Sequence, residues 1–315
     1  MGIKRLPLAL LATFGTLIGA PYPLTVRREY LQPRDLGAEV GGRYFRANGY
    51  EIWYADEGPP DRTPIILLHG FAAWSFSWRT QRAALLQAGY RVITLDLLGS
   101  GASERALGPV YSTESHANIV LALLDGLGVQ QAILIGHSFG ARIGMQMAIN
   151  APARVAALVA IAPEAFATER PAVARAIAVP LVGYALTYYA TSPALTRTGL
   201  KLAVKHEQCL TDTLVAGYAR PLYVRGSVRS QIWQAKSPKD GVRPVPQHHA
   251  DVYCPTLLIW GAADPIFPAE HGHRLVGVLP NAALTIIDDV GHIPHEENEP
   301  LTRATILAFL VERGL

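Results

Sequence analysis

From Arg43 onward, short uninterrupted apolar runs alternate with longer segments whose apolar positions recur every three or four residues. The runs Pro64 to Gly70 (PIILLHG), Tyr90 to Asp96 (YRVITLD), Gln131 to Gly136 and Val155 to Ile161 predict strands buried on both faces. Thr256 to Trp260 and Ala283 to Asp288 continue the series. Arg79 to Ala88, Thr113 to Leu127, Phe139 to Asn150, Pro268 to Val278 and Pro300 to Glu312 predict the intervening helices. Strand and helix alternating through short connections imply a mostly parallel sheet with helices on both faces, an α/β fold. Ahead of it, Arg43 to Phe45 and Tyr50 to Tyr54 read as two strands joined at Asn48-Gly49, a hairpin signal. Glu29 to Val40 reads as a polar connector.

Two stretches depart from this rhythm. Leu6 to Val26 holds 21 uncharged residues between Lys4-Arg5 and Arg27-Arg28. That length suits an uncleaved membrane anchor or a membrane-embedded helix, with a cleaved secretory signal or a buried N-terminal helix as the alternatives. Pro21 and Pro23 would break the last turn of a spanning helix, and Pro21 is a poor residue after a cleavage site. The second stretch, Pro163 to Tyr253, shows helical patterning without a clear strand run and reads as a helical insertion. Within it, Ala176 to Thr196 is again free of charge. The expected organisation is therefore a hydrophobic anchor or signal-like segment over 1–28, a core of 41–162 plus 254–315, and a cap over 163–253.

Composition narrows the function. Half of the 315 residues are hydrophobic and only 17% are charged, below the roughly one quarter usual for soluble domains. A net charge of +3 argues against nucleic acid as a partner, since neutralising phosphates needs a concentrated basic face. Two cysteines, Cys209 and Cys254, cannot build a disulfide scaffold or a structural zinc site.

The chemistry-bearing signal is Gly136-His137-Ser138-Phe139-Gly140, at the end of one expected strand and the start of a helix. A serine on such a strand–helix turn is exposed at the sheet edge, and the helix N-terminus behind it favours negative charge. A serine hydroxyl needs a base, and the base an orienting acid. Asp264 follows the strand ending at Trp260, and His292 follows the strand ending near Asp288. Glu164, Asp288 and Asp289 are rival acids, and His295 is a rival base. Oxyanion stabilisation needs two backbone N–H donors, expected from Phe139 and from Phe71 in the loop His69-Gly70-Phe71.

From about Arg43 to the C-terminus the chain resembles the α/β-hydrolase superfamily. The resemblance is carried by HGF (69–71), DLLGSGAS (96–103), GHSFG (136–140), GAADPIFP (261–268) and GHIPHEENEP (291–300). It implies the α/β-hydrolase fold with an inserted helical cap, a nucleophile at Ser138, an acid at Asp264, a base at His292 and oxyanion donors at Phe71 and Phe139. Relatives that open epoxides or displace halide carry aspartate where Ser138 stands, so those reactions are disfavoured. The expected activity is hydrolysis of a carboxylic ester with an apolar acyl group, such as a lipid ester, at a membrane reached through the N-terminal segment and cap. Carbon–carbon bond or amide hydrolysis, and a non-catalytic ligand-binding role on the same fold, are the alternatives. No metal or cofactor is implied, and oligomeric state leaves no mark on the sequence.

Overall fold

The computed structural model describes residues 29–166, 179, 193–237 and 245–315. The apolar run Leu6 to Val26 and most of Ala176 to Thr196 lie outside the described residues. Eight strands form one sheet: β1 (Arg43–Ala47), β2 (Tyr50–Glu57), β3 (Ile65–Leu68), β4 (Val92–Leu95), β5 (Ala132–His137), β6 (Val155–Ile161), β7 (Thr256–Gly261) and β8 (Ala282–Ile287). Their spatial order is β1-β2-β4-β3-β5-β6-β7-β8. The strands from β3 to β8 pair in parallel, and β2 is antiparallel to both β1 and β4. This is the mostly parallel α/β sheet that the alternating pattern predicts, in the arrangement that the resemblance implies. Asn48 and Gly49, both at positive φ, make the β1–β2 turn.

The unbroken apolar strands follow from cover on both faces. Ile66 and Leu68 of β3 pack in one cluster with α3 (Thr113–Gly126), α4 (Phe139–Asn150) and α8 (Glu270–Val276), through Leu123, Ile143 and Leu275. Ile65 and Leu67 point the other way, into a second cluster with α2 (Arg79–Gln87) and α10 (Glu299–Glu312), through Leu85, Ile306 and Phe309. The period of two along the strand therefore divides one hydrophobic run between two cores.

Between β6 and β7 the described residues form α5 (Pro193–Lys201), α6 (Asp212–Ala219) and α7 (Ser227–Lys236), with short 3₁₀ turns. Thr211 caps α6 by accepting from the Leu214 N–H at 3.2 Å. Val204, Leu210, Leu214 and Tyr218 of this insertion pack against Ala73 and Ile293, which lie beside the candidate site. Among the described residues no helix is long and apolar enough to cross a membrane.

The stretch read as a polar connector is ordered instead. It contains helix α1 (Pro33–Val40), with proline in its first turn and a reciprocal cap between Gln32 and Asp35. Leu31 and Leu36 pack with Trp53, Trp74 and Val224. The Glu29 carboxylate accepts from the Gly226 and Val228 amides at 2.8 Å each, which joins this segment to the insertion. A single buried leucine, Leu36, was too sparse a pattern to announce a helix.

Candidate active site

Four turns at the carboxyl ends of the parallel strands converge. Among the described residues, the non-glycine positions at positive φ are Asn48 in the hairpin and Ala72, Ser138, Ala162 and Asp289, which follow β3, β5, β6 and β8. Strain of this kind persists only where the surroundings over-determine the backbone, and it gathers at functional edges.

Ser138 follows β5 with φ 51° and occupies the residue position before α4. Its N–H donates to Ile161 O at 2.8 Å, and its carbonyl accepts from the Arg142 and Glu164 amides. The flanking glycines are sterically required. A Cβ on Gly136 would lie 2.5 Å from Ala141 N, and one on Gly140 would lie 2.1 Å from Leu68 O. The turn is thus pressed against the end of β3, where the loop His69-Gly70-Phe71 begins. Gly70 is equally tight, since its Cβ would meet His137 Nδ1 at 2.7 Å.

That packing brings the two expected oxyanion donors, Phe71 and Phe139, onto adjoining turns. Among the described residues neither N–H is engaged in a hydrogen bond. Phe139 is buried at the first position of α4, whereas the Phe71 side chain is 51% exposed. His69 supports the loop from behind: its Nε2 accepts from the Leu97 N–H at 3.0 Å, so Nδ1 carries the proton donated to Gly70 O at 2.8 Å. Burial depresses the basicity of His69, which holds it in this neutral form.

His292 and Asp264 meet directly. His292 Nδ1 lies 2.8 Å from Asp264 Oδ2, and both side chains are buried. Asp264 Oδ1 accepts from the Ile266 and Phe267 amides at 2.8 and 2.9 Å, which fixes the carboxylate plane. The Phe267 ring meets His292 edge-on. No hydrogen bond joins the Ser138 hydroxyl to His292 among the described residues, and such bonds often close only around substrate. The two are linked through His137, whose Nε2 donates to His292 O at 2.9 Å while its ring lies 4.9 Å from the His292 ring.

The rival residues go elsewhere. Asp289 accepts from His206 at the surface, and Asp288 is exposed. Glu164 lies beside Ser138 through its backbone, its amide donating to the serine carbonyl. His295 is fully buried, stacked on Trp78 and 4.6 Å from the His137 ring, and neither of its nitrogens has a partner among the described residues. Burial pushes its pKa down to about 3, unsuited to taking a proton near neutrality.

Sequence reading passed over three supporting residues. His137 is the free position in G-x-S-x-G, and His69 stands in the HGF loop with no role of its own legible there. Glu297, five positions after His292, lies within the GHIPHEENEP motif without a role of its own there, yet its carboxylate accepts from three backbone amides around that histidine.

The chain is similar to known proteins along most of its length. The family model described as alpha/beta hydrolase fold matches residues 63–299. An uncharacterized hydrolase of Bacillus subtilis (strain 168) is 28% identical over 270 residues, covering 85% of this chain and 97% of the relative. A 2-hydroxymuconate semialdehyde hydrolase of Pseudomonas putida is 26% identical over 278 residues, covering 86% and 94%. Among solved structures, a bacterial membrane phospholipase A superposes with TM-score 0.72 at 21% identity, covering 99% of each chain. The chain belongs to the α/β-hydrolase fold family of hydrolases.

Proposed function

We propose that this protein is a serine hydrolase that cleaves a carboxylic ester with an apolar acyl group through an acyl-enzyme on Ser138. The observation that carries the reading is the buried Asp264–His292 hydrogen bond beside the strained Ser138 turn. With Nδ1 committed to Asp264, the neutral imidazole leaves Nε2 as its basic atom. In the proposed reaction Ser138 Oγ attacks the ester carbonyl as His292 Nε2 takes its proton. Asp264 stabilises the resulting imidazolium, and the Phe71 and Phe139 amides receive the developing oxyanion. The alcohol leaves with the proton from His292, and water then attacks the acyl-enzyme with the same base, regenerating Ser138.

The apolar substrate is supported by the low charge, the charge-free stretch Ala176 to Thr196 in the insertion, and likeness to a solved membrane phospholipase A. The same considerations support a membrane location through Leu6 to Val26, with secretion after signal cleavage as the alternative. Similarity to the Pseudomonas putida 2-hydroxymuconate semialdehyde hydrolase favours a second reading, cleavage of a carbon–carbon bond by the same serine, histidine and aspartate.

A fluorophosphonate probe on wild type and Ser138→Ala tests the nucleophile. Wild type alone should be labelled, and labelling that persists in the variant would remove Ser138 from its role. Profiling on esters of graded acyl length and on a ring-cleavage diketone then separates the two readings. Mass spectrometry of the mature N-terminus distinguishes an anchor from a cleaved signal.

A further inference from the structure

We propose that Glu297 is a positioning residue, holding His292 in place by fastening its loop to the segment 203–206 of the insertion. The inference rests on the proposed role of His292 as base. Glu297 lies on the one-turn helix α9 (Pro294–Glu297) that follows His292. Its Oε2 accepts from the Gly291 N–H at 2.9 Å, immediately before the histidine. Its Oε1 accepts from the Lys205 and His206 amides at 2.8 and 2.6 Å. One carboxylate therefore bridges two chain segments about ninety residues apart in sequence.

The same two segments touch at three further points. His292 N–H donates to Ala203 O at 2.7 Å. Gly291 faces Ala203 and Lys205 so closely that a Cβ would lie 2.6 Å from Ala203 O and 2.8 Å from Lys205 N. His206 Nε2 reaches Asp289 Oδ2 at 2.7 Å on the other side of the glycine. Val204 and Ile293 share one apolar cluster beneath these contacts. The main chain of His292 is thus held at its N–H by the insertion, at the preceding N–H by Glu297, and at its carbonyl by His137.

Three N–H donors converge on two oxygens, so the site calls for an ionised carboxylate, an acceptor at both atoms. Glutamine of the same shape would turn an NH₂ towards at least one donor. Aspartate keeps both acceptors with a shorter reach. Releasing Gly291 lets the imidazole tilt away from Asp264, and misplacement by about 1 Å can cost on the order of 100-fold in rate.

The test compares full-length wild type, Glu297→Gln and Glu297→Asp, with the downfield proton NMR resonance of the His292 Nδ1–H assigned by its loss in Asp264→Asn. Kinetics on a p-nitrophenyl ester run alongside. Glu297→Gln should broaden or shift the resonance and lower kcat roughly 10- to 100-fold with KM within about threefold. Glu297→Asp should recover part of both, and it carries the test if the glutamine variant does not fold. A folded variant with unchanged resonance, whether kcat holds or falls together with a rising KM, overturns the proposal. If wild type turns over no ester and resists the fluorophosphonate, the functional reading fails separately, and the resonance still decides the role of Glu297.

Discussion

His292 Nδ1 and Asp264 Oδ2 lie 2.8 Å apart in a buried pair, with the second carboxylate oxygen already occupied by two backbone amides. The acid therefore has one free direction and spends it on the imidazole. Asp264→Asn preserves the shape but offers an NH₂ or a weaker acceptor to Nδ1, favouring the wrong tautomer. On the proposed mechanism kcat should fall by on the order of 10⁴-fold with little change in KM. Steady-state kinetics and an unchanged melting temperature would check it. A loss under tenfold would remove Asp264 from the reaction.

The glycines around Ser138 predict a steric result. Gly140→Ala sets a Cβ against the Leu68 and His69 carbonyls at 2.1 and 2.6 Å, backbone atoms that cannot rotate aside. The variant should lose about 1–3 kcal/mol of stability and most fluorophosphonate labelling. Gly144→Ala, whose one close approach is the Leu158 methyl at 2.8 Å with Leu134 at ordinary contact distance, should lose less and still label. Urea denaturation of the two measures the difference.

Arg79 binds Glu296 through both guanidinium nitrogens at 2.7 and 2.8 Å, and Tyr218 of the insertion donates to the same carboxylate at 3.0 Å. The Glu296 side chain is 1% exposed, so removing its cation leaves a buried carboxylate underpaired. Arg79→Met should destabilise the fold by about 2–3 kcal/mol, below the roughly 3–5 kcal/mol of fully buried pairs because Arg79 remains 35% exposed. The double variant with Glu296→Leu should regain much of that loss, since no buried charge is left behind. Equal destabilisation of single and double variants would count against the pair.

The buried histidines set an acid limit. Burial chiefly pushes His116 and His295 down to about 3, and neither ring finds a hydrogen-bond partner among the described residues. The unfolded chain binds protons at these rings below its ordinary pKa near 6.5, while the folded chain stays neutral. Their contribution is full above about pH 6.5 and is lost as pH falls towards about 3. Glu296 works in the opposite sense, because burial raises its pKa and its contribution is lost as pH rises above 4.5. Urea midpoints should therefore drop steadily between about pH 6.5 and pH 4, and His116→Phe should flatten that slope by close to one proton. A slope unchanged in the variant would place the limit elsewhere.

Periodicity and local glycine chemistry determined the fold class from the sequence alone. An apolar strand covered on both faces leaves a continuous run, and the helices α3 and α10 leave a three-to-four repeat, so sheet and layers can be read from neighbouring residues. The tight Ser138 turn is legible for the same reason, because its glycines are needed within two positions of it. Other features depend on residues distant in the chain. Whether Asp264, Glu164, Asp288 or Asp289 would meet a histidine turned on how four strand-end loops converge. His137 reaches the His292 carbonyl across 155 positions, and Arg79 reaches Glu296 across 217. Glu297, like many acidic residues near a helix, reads as a solvated surface charge. Only tertiary packing, by bringing Gly291 against Ala203 and Lys205, makes it the group that three backbone amides from two chain segments share.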